Sequence, residues 1–275
     1  MTPIDTSAIN RPTGPLSISI VQVDLAWEQP HVNLGRIEHL LVQHNAPTDV
    51  ILLPEMFTTG FSMNAAKLAE KPEGPSWLWM KDLAAHRRAL VGGSLIVNDG
   101  GRYYNRFYLV SPSGTTHHYD KRHTFRLAGE SDHYTAGTER VVVEHNGWRL
   151  LPQVCYDLRF PAWCRNELPD GPLAYDVLLY VANWPQPRSH HWRAMLRARA
   201  IENQCYLAAV NRVGTDDKGH LYRGDSAIID FHGDTLTEIV RGEGVETITL
   251  EPEPLVAYRT KYPFWYDADR ISFLS

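Results

Sequence analysis

The sequence predicts an α/β protein, and three observations carry that reading. Short β-branched runs alternate with helical stretches along the chain. Two runs, DVILLP at 49–54 and DVLLYVA at 176–182, are continuously apolar, as expected of strands buried on both faces. Turn signals at Asn98-Asp99-Gly100-Gly101, Ser111-Pro112-Ser113-Gly114 and Asn146-Gly147 add antiparallel meanders to the alternation. Strands are expected at 16–25, 49–54, 90–97, 102–111, 115–121, 141–145, 148–154, 176–182 and 205–213. A further pair lies within 226–240 about a His232-Gly233-Asp234 turn. Helices are expected near 31–45, near 76–88, from about 159 to 168, and from a cap at Ser189 to Asn203. The tail from Glu251, rich in proline and aromatics, reads as irregular. Residues 1–15 read as a flexible arm, and 16–275 as a single domain because no interior linker interrupts them.

Composition narrows the function. The chain has 275 residues, enough for a core without disulfide or metal staples. It carries 27 Lys and Arg against 32 Asp and Glu, a net charge of −5, which disfavours nucleic acid as a partner. Three sparse cysteines, Cys155, Cys164 and Cys205, fit a reducing compartment, and the cytoplasm is the expected location. No run approaches the ~18 apolar residues of a membrane span. Neither a phosphate-binding G-x-x-x-x-G-K-[ST] loop nor a dinucleotide G-x-G-x-x-G occurs. H-E-x-x-H and paired C-x-x-C are absent, so zinc is not expected. The adjacent pairs His117-His118 and His190-His191 diverge on a strand or helix and make no two-ligand face. G-x-S-x-G is also absent, which removes a serine-hydrolase elbow.

Three stretches place a reactive side chain just after a strand-like run, where α/β folds build their sites. In LLPEMF, Glu55 sits among Leu53, Met56 and Phe57, so desolvation suits it to acid–base work. In YDKRH, Lys121 can stabilise an oxyanion. In LPQVCYDLRF, Cys155 stands between a strand and an expected helix start, which favours a thiolate, and the Tyr156 N–H is placed to help bind an oxyanion. Each alone has a plain alternative: an ion-paired glutamate, a solvated charge run, an inert buried cysteine. Cys164 and Cys205 read as core residues. A cysteine nucleophile needs a base, no histidine presents itself, and a Glu–Lys–Cys set fills the role.

The order Glu55, Lys121, Cys155 resembles the nitrilase/carbon–nitrogen hydrolase superfamily. The resemblance runs from Leu16 to the tail through PEMFTTGF (54–61), YDKRHTF (119–125), VCYDLRFP (154–161), ANWP (182–185) and RARAIENQCYLAAVNRVG (197–214). TTGFSM, KRHTFRLAGE and CYDLRFPAWCRN are most similar to its omega-amidase branch. The resemblance implies an αββα four-layer sandwich, a homodimer or higher homo-oligomer, and no metal or organic cofactor. It implies Cys155 as nucleophile, Glu55 as general base and Lys121 as oxyanion donor. A fourth glutamate between lysine and cysteine best matches Glu130, with Glu139 and Glu144 in the same interval. The implied substrates are small amides, the 2-oxo acid monoamides 2-oxoglutaramate and 2-oxosuccinamate. A deaminated-glutathione amidase, an N-carbamoyl hydrolase, a nitrilase and a non-catalytic binding module are the alternatives. Substrates of that kind carry a remote carboxylate. Arg188, in the loop 183–188 after a buried strand, is the candidate to bind it, with Arg159 as rival.

Overall fold

The structure, a computed structural model, describes residues 9–166 and 173–269. The first half runs β1 (Leu16–Gln22), α1 (Pro30–Gln43), β2 (Val50–Leu52), α2 (Ala65–Leu68), α3 (Pro75–Arg87), β3 (Leu90–Asp99), β4 (Arg102–Val110), β5 (Thr116–Asp120) and α4 (Glu130–His133). The second half runs β6 (Val143–His145), β7 (Trp148–Val154), β8 (Val177–Ala182), α5 (Ser189–Asn203), β9 (Tyr206–Asn211), β10 (Val213–Thr215), β11 (Leu221–Arg223), β12 (Ser226–Ile229), β13 (Thr235–Ile239), β14 (Gly244–Leu250) and α6 (Pro252–Lys261).

Two six-stranded sheets form, in the orders β14-β1-β2-β3-β4-β5 and β13-β12-β9-β8-β7-β6, with β10 and β11 as a separate hairpin. Each sheet has a parallel centre, β1-β2-β3 or β7-β8-β9, and antiparallel flanks. Alternation along the strands sets the layers. Val177, Leu179 and Val181 point inward, where with Trp148 and Leu150 they meet Ile18, Ile20, Leu52 and Phe107 of the other sheet. Leu178 and Tyr180 point outward against Trp192, Leu196 and Ala200 of α5. On the other side, Ile51 and Val91 face Ile37 and Leu41 of α1 and Trp77, Met80 and Ala84 of α3. Those helical residues recur at three- and four-residue spacing, so one stripe of each helix is buried. The result is the four-layer αββα sandwich.

Three expectations are corrected. The expected helix from about 159 to 168 is replaced by a one-turn 3-10 segment, Cys155–Arg159, and turns through Cys164. Pro161 follows Phe160 directly, which disfavours helix there; 167 and 168 lie outside the described residues. Within the described residues, to 269, the tail is not irregular: α6 starts at Pro252, where a missing N–H costs nothing in a first turn, and a 3-10 turn spans Phe264–Asp267. Ser189 is the first residue of α5 rather than its cap, and the cap position, Arg188, makes no side-chain cap bond. Of the expected arm, residues 9–14 are docked. Ile9 is buried, Asn10 Nδ2 donates to Gly147 O at 3.1 Å, and Trp148 Nε1 donates to Gly14 O at 2.8 Å. Residues 1–8 lie outside the described residues.

Candidate active site

The strand directions bring the site residues together. β2 and β3 are parallel, and two antiparallel steps return β5 to the same direction. Glu55 and Lys121, just past the ends of β2 and β5, therefore leave one end of the first sheet. Cys155 and Asn183, just past the parallel strands β7 and β8, leave one end of the second.

Local packing fixes each turn. Leu53 N donates to Gly92 O at 2.7 Å and Met56 N to Ser94 Oγ at 2.8 Å, which draws the Glu55 turn onto β3. Gly93 permits the approach, since a Cβ there would sit 2.9 Å from Leu53 Cβ and Phe57. Lys121 O accepts from Gly137 N at 2.9 Å, and a Cβ on Gly137 would lie 2.1 Å from Asp120 O, so that position requires glycine. Cys155 adopts φ +44, a left-handed conformation that costs about 1–3 kcal/mol outside glycine. The buried Asp157 carboxylate holds this turn. It accepts from Val154 N at 3.0 Å, Tyr119 Oη at 2.8 Å and His123 N at 3.0 Å, tying the Cys155 turn to the Lys121 loop.

The charged groups meet in full burial. Lys121 Nζ donates to Glu55 Oε1 at 3.0 Å and to Glu130 Oε1 and Oε2 at 3.0 and 2.9 Å. Asn105 Nδ2 bridges both carboxylates, at 2.8 Å from Glu55 Oε1 and 3.2 Å from Glu130 Oε1. Phe125 N donates to Glu130 Oε2. Asn183 N donates to Glu55 Oε2 at 2.8 Å, and Asn183 Nδ2 to Glu55 O at 2.6 Å. The Cys155 thiol stands within the electrostatic reach of Glu55, Lys121 and Glu130. The other two glutamates of the interval, Glu139 and Glu144, are exposed.

These neighbours set the protonation. Burial alone would lower the Lys121 ammonium, but Glu130 and Glu55 outweigh it and hold the proton on. Burial pushes the Glu130 carboxyl up, Lys121 opposes it, and Glu55 adds to the rise. Burial and then Glu55 drive the Cys155 thiol well above its ordinary range, with Lys121 offsetting only part. The expected thiolate at a helix start is therefore corrected: the segment is a single 3-10 turn, and burial, then Glu55 and Glu130, favour the proton on sulfur.

Cys155 opens onto a cavity of about 410 Å³. Trp27, Phe61, Met63, Phe125 and Tyr156 give it an apolar wall, while Arg159, Arg188, Lys218 and His220 add cationic or titratable groups. The Arg188 guanidinium lies 5.6 Å over the Phe125 ring, and that of Arg159 lies 4.8 Å over Trp184. Glu55, Lys121, Glu130 and Cys155 thus form one cluster, and Tyr156 and Arg188 line the cavity above it. Asn105, Asp157 and Asn183 escaped the reading of single residues. Asn183 carried a usable signal, since it follows β8 as Glu55 follows β2. Among the described residues, no group of three or more His, Cys, Asp or Glu could hold a metal ion, and no helix is long and apolar enough to cross a membrane.

Comparison with known proteins agrees with this architecture. The carbon–nitrogen hydrolase family model matches residues 17–260. An omega-amidase YafV from Yersinia enterocolitica is 48% identical over 260 residues, covering 94% of this chain and 99% of that protein. A 2-oxoglutaramate amidase from Bacillus subtilis is 34% identical, covering 91% and 96%. Among solved structures, a CN-hydrolase superfamily protein from Xanthomonas campestris, with an arsenic adduct in its active site, superposes with a TM-score of 0.91. It is 43% identical, with 94% of this chain and 99% of that one covered. With a family match that spans both sheets and every residue of the buried cluster, the chain belongs to the carbon–nitrogen hydrolase family.

Proposed function

We propose that the protein is an omega-amidase that hydrolyses the amide of 2-oxo acid monoamides, 2-oxoglutaramate and 2-oxosuccinamate, to the dicarboxylic 2-oxo acid and ammonia. The observation that carries the reading is a cysteine that lines a cavity at the buried Glu55–Lys121–Glu130 cluster, where Lys121 Nζ donates to Glu55 Oε1 at 3.0 Å and to Glu130 Oε2 at 2.9 Å. Relatives named omega-amidase and 2-oxoglutaramate amidase support the substrate class.

The chemistry follows from the protonation states. A thiol held neutral by burial needs a base at the moment of attack. Glu55 takes the Cys155 proton, and the sulfur adds to the amide carbon. Lys121 and the Tyr156 N–H receive the oxyanion, while Glu130 keeps Lys121 oriented and charged. Glu55 returns the proton to nitrogen, the C–N bond breaks, and ammonia leaves a thioester. Glu55 then deprotonates water, which adds to the thioester carbon, and the C–S bond breaks with the proton returned to sulfur. Arg188 binds the remote carboxylate through its planar donor fork. The protein works as a homodimer or higher homo-oligomer in the cytoplasm. Support for association is the tail, where Phe264 and Tyr266 are each 60% exposed, an apolar surface suited to a subunit contact. Free Cys155, Cys164 and Cys205 suit the compartment.

The test compares kcat/KM for a 2-oxo acid amide with its decarboxylated analogue, in wild type and Arg188→Met. Wild type is expected to prefer the carboxylate. The variant is expected to narrow that preference by about 1.5–3 kcal/mol, the worth of a hydrogen bond to a charged group. No preference in wild type defeats the substrate assignment, and an unchanged preference in the variant defeats Arg188 alone. A strictly monomeric, fully active enzyme at micromolar concentration defeats the oligomer.

A further inference from the structure

The β10–β11 hairpin stands outside both sheets, and its tip forms part of the cavity wall. Its base is fixed. The fully buried Arg212 donates through Nη2 to Asp24 Oδ1 at 2.9 Å, to Leu25 O at 3.0 Å and to Thr215 O at 3.3 Å. β11 packs against the Gln186–Arg188 turn, and Tyr222 on β11 lies within the electrostatic reach of the Cys155 sulfur. The tip is fixed by Asp216, whose side chain is only 6% exposed. Its Oδ1 accepts from Lys218 N and His220 N, both at 2.9 Å. Its Oδ2 accepts from Tyr222 Oη at 2.9 Å and meets His220 Nδ1 at 3.0 Å. Gly219, at φ +80, closes the turn with its N–H on Asp216 O at 3.0 Å. Burial raises the Asp216 carboxyl, but the hydrogen bonds from His220 and Tyr222 outweigh it and hold it below the usual carboxylate range. A saturated anion therefore braces the loop that carries Lys218.

Lys218 is exposed and lines the same cavity as Cys155. Among the described residues, no ion pair uses Lys218, Arg188 or Arg159, the three lysine and arginine side chains of that wall. Asp216 is the one carboxylate among the described lining residues, and both its oxygens are occupied. The wall thus offers positive charge and N–H donors without an anion of its own, and the ligand brings the oxygens. A 2-oxo acid presents three oxygens on two adjacent carbons, two in the carboxylate and one in the oxo group. A guanidinium fork engages two of them in one plane. The third needs a donor that adjusts its direction, which an ammonium on a flexible stem provides. We propose that Lys218 binds the 2-oxo oxygen of the substrate, with Asp216 as its positioning residue, and makes the site prefer a 2-oxo acid monoamide to the same monoamide without the oxo group. This inference rests on the amidase reading above and extends recognition from the carboxylate to the oxo group.

The test uses 2-oxosuccinamate and succinamate, which share the carbon skeleton, the carboxylate and the amide and differ only in the oxo group. kcat and KM for each are measured by ammonia release at fixed ionic strength. Wild type is expected to prefer 2-oxosuccinamate. Lys218→Met is expected to reduce that preference by roughly 3- to 10-fold, one hydrogen bond at an exposed site. The loss is expected in KM with kcat kept, because the contact is the same before and during the chemistry. Asp216→Asn turns one acceptor of the brace into a donor and is expected to cost 2-oxosuccinamate selectively as well. Asp217→Asn alters an exposed charge beside Lys218 that is not part of the wall, and is expected to keep the preference. An unchanged preference in Lys218→Met overturns the proposal. An equal loss on both substrates also overturns it, since Lys218 would then serve the carboxylate, and so does an equal effect of Asp217→Asn, which would trace it to general loop charge. Equal losses in Asp216→Asn remove the positioning role. If wild type hydrolyses both amides equally well, the amidase reading stands and this inference alone falls; if it releases ammonia from neither, the amidase reading fails and this inference with it.

Discussion

Asp176 and Glu130 are both fully buried carboxylates, and their neighbours give them opposite properties. Asp176 is surrounded by cations. It accepts from Arg259 Nη1 at 2.7 Å, from Arg149 N, Nε and Nη2 at 3.1, 3.3 and 3.3 Å, and from Asn10 Nδ2 at 2.6 Å. Burial pushes its pKa up, but the two guanidiniums outweigh burial and hold it below the usual carboxylate range. Glu130 instead shares the single cation Lys121 with Glu55, and stays raised. One cluster has cations in excess and a carboxylate locked as an anion. It fastens the N-terminal segment and α6 to β7. The other has anions in excess, and an anion-rich pocket has capacity for one more proton. The difference teaches which buried charges hold a fold together and which are poised to react.

The sharpest test of the reactive cluster is its nucleophile. Cys155→Ala should release no ammonia, whereas Cys164→Ala and Cys205→Ala, both in the core, should keep most of the turnover; near-normal activity in Cys155→Ala sinks the mechanism. Glu55→Gln should lose ~10²–10⁴-fold in kcat/KM, as for a positioned acid–base group, with an unchanged circular dichroism spectrum. Lys121→Met should lower kcat on the order of 10²–10³. It should also destabilise the fold by about 3–5 kcal/mol in urea titration, because two buried carboxylates lose their cation.

The fastening cluster should behave in the opposite way. Asp176→Asn leaves the buried Arg259 without its anion and should cost about 3–5 kcal/mol of stability, while kcat of the folded enzyme is unchanged. A drop in kcat without a drop in stability would erase the distinction between the clusters. The smallest effect lies in pH dependence. The folded pKa of Asp176 is lowered, so its stabilisation is fully present above its unfolded value of about 3.8 and is lost as pH falls through the folded value. Glu130 is raised, so its contribution is fully present below about 4.5 and is lost as pH rises through its folded value. Urea midpoints should therefore show the wild-type advantage over Asp176→Asn flat above about pH 4 and falling as pH drops below it, and the advantage over Glu130→Gln falling as pH rises above about 4.5. Parallel slopes would break the comparison.

The sequence by itself determined the strands of the sheet centres and their hairpins, the α/β class and three of the four clustered residues, each for a local reason. Period-two alternation and the apolar runs at β2 and β8 follow from burial of sheet faces, and Asn146-Gly147 sets its hairpin through its own backbone preferences. Glu55, Lys121 and Cys155 were legible because each follows a strand directly. Glu130 needed the family resemblance, since nothing in its local pattern separates it from Glu139 and Glu144. The tertiary structure decided the rest. The tail became α6 because Leu255 and Arg259 bury against the second sheet region, and Arg259 finds Asp176, 83 residues away. The stretch 244–250 became a strand because β1 offered an antiparallel edge more than two hundred residues earlier. The Cys155 proton state reversed between the two levels. A local reading sees only a helix start, whereas the thiol responds to Glu55, Glu130 and Lys121, which reach it from the other sheet. Electrostatics in a buried site is set by what lies a few ångströms away in space, and that proximity exists only after the two sheets have stacked.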